Sequence, residues 1–239
     1  MTVCTSRLRV LACAIPLMLA AGVRAQSFNI DLDIMAGPPE AGNGAPSSAF
    51  GGASGSVGFW NRVDAAGPRQ PVLLAGLDGG LTSASIQVPG GGGGAGGSGW
   101  NGNSGDHAFL LNDYAVVPDE LVFRFAGMRP GPYRLYTYAS VPIPGYVLEA
   151  EVWVPGSRTL DPQIVSGPMP GNGFAQGLTH SVHELDLFTN EFEIIVRNRV
   201  QGPPNAYVNG MQIVAVPEPV TVVCLIVGTV AMVRRRTSM

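Results

Sequence analysis

The sequence predicts an all-β fold, an antiparallel β-sandwich with Gly-rich loops, and three observations lead there. Apolar residues alternate with polar ones at period two in run after run, whereas helical periodicity is scarce. Glycine and proline, 33 and 20 of 239 residues, bound those runs as turn residues do. Hydrophobic residues make up 46% of the chain, too many for a wholly disordered one.

The clearest alternation comes in four runs. "ELVFRFAG" sets Leu121, Phe123 and Phe125 on one face against Val122 and Arg124. "PYRLYTYAS" opposes Tyr133, Leu135 and Thr137 to Arg134, Tyr136 and Tyr138. "YVLEAEVWV" directs Leu148, Ala150, Val152 and Val154 inward, with Glu149, Glu151 and Trp153 outward. "EFEIIVRN" sets Phe192, Ile194 and Val196 against Glu193, Ile195 and Arg197. Further strands are expected at 28–34, 57–63, 72–75, 82–88, 181–187 and 206–215, and a helical turn within 107–115. Some ten short strands without helical crossovers read as one sandwich. A jelly roll is the first expectation. An immunoglobulin-like sandwich is the second, although the cysteine pair of that fold is missing.

The two ends read as targeting segments. Arg7 and Arg9 precede an apolar stretch, Val10 to Ala21, and Val23-Arg24-Ala25 offers small residues for cleavage, so residues 1–25 are expected to be a signal peptide. At the other end, residues 216–239 combine Pro217-Glu218-Pro219, an apolar segment from Val220 to Val233 and the cluster Arg234, Arg235 and Arg236. Val214 to Val233 is long enough for a single transmembrane helix, and the arginines would hold its end in the cytoplasm. Residues 26–215 are left as one domain, a length suited to a single core.

That tail resembles the PEP-CTERM sorting signal of exported Gram-negative bacterial proteins. The resemblance implies an exosortase-type processing enzyme as partner and a transient anchor in the inner membrane. It further implies delivery to the cell surface or extracellular matrix, usually alongside exopolysaccharide. A second resemblance rests on "SFNIDLD", "GFWNRV", "LLAGLDGGLTSASIQV", "LVFRFAGMRPGPYRLYTYAS" and "VNGMQIV" in that order. This order is similar to that of galactose-binding-like jelly rolls, many of which bind carbohydrate at end loops and hold a structural calcium.

Composition narrows the chemistry. All 14 basic residues are arginine, and the span 26–216 has eight of them against sixteen Asp and Glu, a formal charge of −8. No basic stripe for nucleic acid exists. The three cysteines, Cys4, Cys13 and Cys224, all lie in the end segments, so the domain has neither a disulfide nor a cysteine nucleophile.

Candidate residues follow from residue type and spacing. Trp60, Trp100, Tyr136, Tyr138 and Trp153 are candidate sugar-facing aromatics, with core packing as the alternative for each. Asp31 and Asp33, two apart on one strand face, are expected as solvated residues or as contributors to a calcium site. Glu149 and Glu151 have the same spacing, but a glycosidase draws its carboxyl pair from separate elements of a cleft. His180 and His183 lack the glutamate of a zincin, no serine stands in a nucleophile elbow, and the glycine run 89–105 reads as a loop. Asn209-Gly210 signals a tight turn. The expectation is a non-enzymatic surface protein without cofactor. The alternatives are a secreted polysaccharide hydrolase or lyase, and a purely structural protein without ligand.

Overall fold

The computed structural model describes residues 26–33, 44–67, 69–89, 92–95, 102–141, 145–156, 160–168, 170–199 and 205–217. Residues Gln26–Ala215 form one compact unit. In chain order its elements are β1 (Phe28–Asp33), β2 (Trp60–Asp64), β3 (Val72–Ala75), β4 (Leu81–Gln87), β5 (Gly93–Ala95), the helical turn α1 (Asp106–Leu111) and β6 (Asp113–Pro118). Then follow β7 (Glu120–Ala126), β8 (Gly131–Tyr138), β9 (Val147–Trp153), β10 (Leu160–Ser166), β11 (His180–Leu187), β12 (Phe192–Asn198), β13 (Asn205–Val208) and β14 (Gly210–Ala215).

The strands build a jelly-roll sandwich. One layer is the five-stranded sheet β11-β8-β14-β1-β2, the other the six-stranded sheet β10-β9-β12-β7-β4-β3. A short third sheet, β13-β6-β5, stands beside them. Period-two alternation makes the interior. Phe28, Ile30, Leu32, Leu135 and Ile213 of the first sheet meet Leu121, Phe123, Leu148, Val152 and Ile194 of the second in one buried cluster. Removing each such side chain from water stabilises the fold by about 1.5–3 kcal/mol, which holds the domain together without a disulfide.

Four features depart from the sequence expectation. β1 and β2 pair in parallel, Asp31 facing Arg62, so the five-stranded sheet is mixed. The expected strand 206–215 is two strands: β13 pairs with β6 and β14 with β8 and β1. Asn209 between them turns no hairpin but passes the chain from one sheet to another, wholly buried. The helical turn ends at Leu111 and the rest of that stretch becomes β6. The glycine run contributes β5, paired to β6. Local alternation is blind to β5, β6 and β10: β5 is three residues, two of them glycine, and neither DYAVVP nor LDPQIVS sustains a period of two.

The outer face of the five-stranded sheet is also covered. Helix α1 lies against it at Gly210, where a Cβ would stand 2.6 Å from the Ile30 carbonyl and 2.7 Å from Leu110 Cδ1, so glycine is what admits the helix. Trp60, Leu110, Leu111 and Tyr138 form a second buried cluster there, with Phe50 and Phe174 packed against it.

Candidate functional site

The six-stranded sheet leaves its outer face open, and on it the register brings three rows of side chains together. Trp153, Glu193 and Arg124 share one row, Glu151, Ile195 and Val122 the next, Glu149, Arg197 and Glu120 the third. Ile164 of the edge strand β10 stands beside Glu149. Cross-strand neighbours on one face touch directly, and here opposite charges face one another. Arg124 Nε donates to Glu193 Oε1 at 2.7 Å, and Arg197 bridges Glu120 (2.6 Å) and Glu151. Arg199 pairs with Glu149. Trp153 is 38% exposed at one margin of this network, and Ile164 is exposed at the other.

Tied to arginines on one face of the sheet, Glu149 and Glu151 are hydrogen-bond acceptors. A small depression lies elsewhere, lined by Ser140, Tyr146, Val165, Ser166 and Leu178. Its interior of about 10 Å³ holds roughly one water molecule.

The other sequence-derived candidates fall in different places. Trp60 is 4% exposed and donates from Nε1 to the Phe50 carbonyl at 3.0 Å. Tyr138 is wholly buried; its hydroxyl donates to Gln212 Oε1 at 2.5 Å and accepts from the Ala53 N–H at 2.7 Å, and burial raises the phenol far above its usual value. Neither ring faces solvent, because segment 44–59 and α1 lie over strands whose pattern gave no sign of a second layer. Tyr136 is half-buried near His180. Of the candidate aromatics among the described residues, Trp153 is the one that is exposed. Trp100, Glu218, Pro219, Arg234, Arg235 and Arg236 lie outside the described residues, and Pro217 is exposed beyond β14. Among the described residues no helix is long and apolar enough to cross a membrane.

Asp31 and Asp33 are not solvated. β1 is a central strand covered on both faces, and both carboxyls are wholly buried, as is Asp113 at the start of β6. Asp33 pairs with Arg62. Both oxygens of Asp31, both of Asp113 and Oδ1 of Asp33 meet no hydrogen-bond donor. Burial first, then the charges of Asp113 and Asp33, holds the Asp31 carboxyl well above the usual carboxylate range. Burial and the adjoining Asp33 push Asp113 up to about 9. Among the described residues no group of three or more His, Cys, Asp or Glu side chains is disposed to hold a metal ion.

His180 and His183 are both buried. His180 Nδ1 lies 2.9 Å from Thr179 Oγ1, and burial lowers its imidazole to about 4. Thr179 is itself fully enclosed, so this hydroxyl–imidazole contact has no access for a substrate.

Sequence reasoning overlooked Asn209 as a joint. Its Nδ2 donates to the carbonyls of Leu111 (3.0 Å) and Asp113 (2.9 Å), and its Oδ1 accepts from the Ser140 N–H (2.8 Å). Gln212 does similar work, donating to Asn29 Oδ1 at 2.8 Å and to the Gly51 carbonyl at 2.9 Å. Polar residues at outward positions of two strands were the available signal, and they mark where the covering segment docks.

No family model matches the chain, and no curated protein does. Eighteen chains of solved structures match, among them three that align over part of it. TmCBM61 in complex with β-1,4-galactotriose is 11% identical, aligned over 44% of this chain and 70% of its own, at a TM-score of 0.29. CpGH89CBM32-6, produced by Clostridium perfringens, is 9% identical over 56% and 94%, with a TM-score of 0.26. The exo-β-1,3-galactanase of Phanerochaete chrysosporium, with galactose, is 15% identical over 59% and 32%, with a TM-score of 0.27.

Proposed function

We propose that this chain is an exported surface or extracellular-matrix protein, sorted by an exosortase-type enzyme, whose sandwich associates with exopolysaccharide without catalysing a reaction. The sorting part rests on Pro217-Glu218-Pro219 and Arg234-Arg235-Arg236 around the apolar tail. The binding part rests on one observation, the open face of the six-stranded sheet. An indole on a rigid strand, beside fixed carboxylate and guanidinium groups, gives a sugar ring an apolar plane to stack on and hydroxyl partners alongside. The arginine partners of Glu149 and Glu151 favour binding over hydrolysis.

The test is co-sedimentation of the full-length protein, purified in mild detergent, with the host's own extracellular polysaccharide. Saturable binding is expected, and Trp153→Ala should weaken it about tenfold, the loss of roughly 1.4 kcal/mol of stacking. Reducing-sugar release above blank would turn the reading to a hydrolase. Equal binding by the variant would remove this face from it, and no binding at all would leave a structural protein.

A further inference from the structure

We infer that Arg62 is the resident cation of the buried acidic cluster Asp31, Asp33 and Asp113, so that this cluster needs no metal. The cluster has the donor atoms of a calcium site, all hard carboxylate oxygens, yet they are not disposed around one ion. What occupies their open side is a guanidinium. Arg62 faces Asp31 across the parallel β1–β2 register and bonds through Nε to Asp33. Its side chain is 36% exposed where that of Asp33 is 0%, so it closes the cluster from the solvent side.

Charge counting agrees with this assignment. Three ionised carboxylates and one guanidinium would leave −2 inside the fold, a charge that one divalent cation would neutralise. The same balance is reached without metal if Asp31 and Asp113 hold their protons, which is the direction in which burial drives both. One ion pair and two neutral acids then complete the cluster. Their two protons serve up to four of the five oxygens without a donor, since a neutral carboxyl brings its own.

The experiment is thermal unfolding of the full-length protein in detergent, once with calcium chloride and once with EDTA. For the native chain the two melting temperatures should agree within about 1 °C. Arg62→Ala, which strips the buried Asp33 of its partner, should melt on the order of 10 °C lower in EDTA. Calcium should leave that drop in place, because the three carboxylates are not disposed around one ion. Arg62→Lys keeps the charge and should melt near the native value in both media. The inference is overturned if EDTA lowers the native melting temperature, if Arg62→Ala melts like the native chain, or if calcium relieves its drop. Should Arg62→Ala fail to fold in either medium, Arg62→Lys decides: folding without calcium supports the assignment, and a calcium requirement refutes it.

Discussion

Replacing Asn209 with alanine should damage this fold severely. The side chain satisfies three backbone groups at once: the carbonyls of Leu111 and Asp113 and the N–H of Ser140, at 3.0, 2.9 and 2.8 Å. Those groups belong to the end of α1, the start of β6 and the segment after β8, and the residue is wholly buried where β13 gives way to β14. A buried donor or acceptor left without its partner costs about 1–3 kcal/mol. Alanine strands one N–H and two carbonyls, and carbonyls tolerate the loss better because each keeps a second lone pair. The expected destabilisation is therefore roughly 3–5 kcal/mol, a large share of the 5–15 kcal/mol that a domain has in total. At 2–4 °C per kcal/mol for a chain of this size, the melting temperature should fall by about 10–15 °C. Denaturant and thermal unfolding, followed by tryptophan fluorescence, would measure it. Asn209→Asp turns an oxygen toward the Leu111 and Asp113 carbonyls in place of the donor and should be no more stable than the alanine variant. Asn205→Ala, four residues earlier and partly exposed, should shift stability by less than about 0.5 kcal/mol. A loss below about 1 kcal/mol for Asn209→Ala would refute the idea that one amide joins three elements.

Gly127 has φ +70°, and a Cβ there would stand 2.0 Å from the Ser83 carbonyl oxygen, so Gly127→Ala should unfold the domain or prevent its expression, with soluble yield as the readout. The pH profile of stability should be lopsided. Asp113, raised from 3.8 to about 9 by burial, keeps a proton that the unfolded chain releases, so stability falls as pH rises through that window. His180, lowered from 6.5 to about 4 by burial, lacks a proton that the unfolded chain takes up, so its effect is to lower stability as pH falls below 6.5. Between about 4 and 6.5 the two oppose each other, and the melting temperature should decline from 6.5 toward 9. Asp113→Asn should flatten that alkaline decline; an unchanged slope in the variant would show that the carboxyl does not titrate as placed.

The sequence by itself determined the sandwich and most of its interior. Strand residues such as Leu121, Phe123, Leu148, Val152 and Ile194 declare their buried face locally, because side chains two apart on a strand point the same way. The open face carrying Glu149, Glu151 and Trp153 followed from the same period. Local pattern has no means of stating what lies over an outward face. Trp60, Tyr138, Asp31 and Asp33 sit at outward positions and yet are buried, since segment 44–59, α1 and β6 return to cover that sheet from distant parts of the chain. Only the tertiary structure decided which arginine meets which carboxylate, and that Asn209 is a joint and not a turn. Those pairings depend on strand order and register, and alternation along one strand is indifferent to the strand beside it.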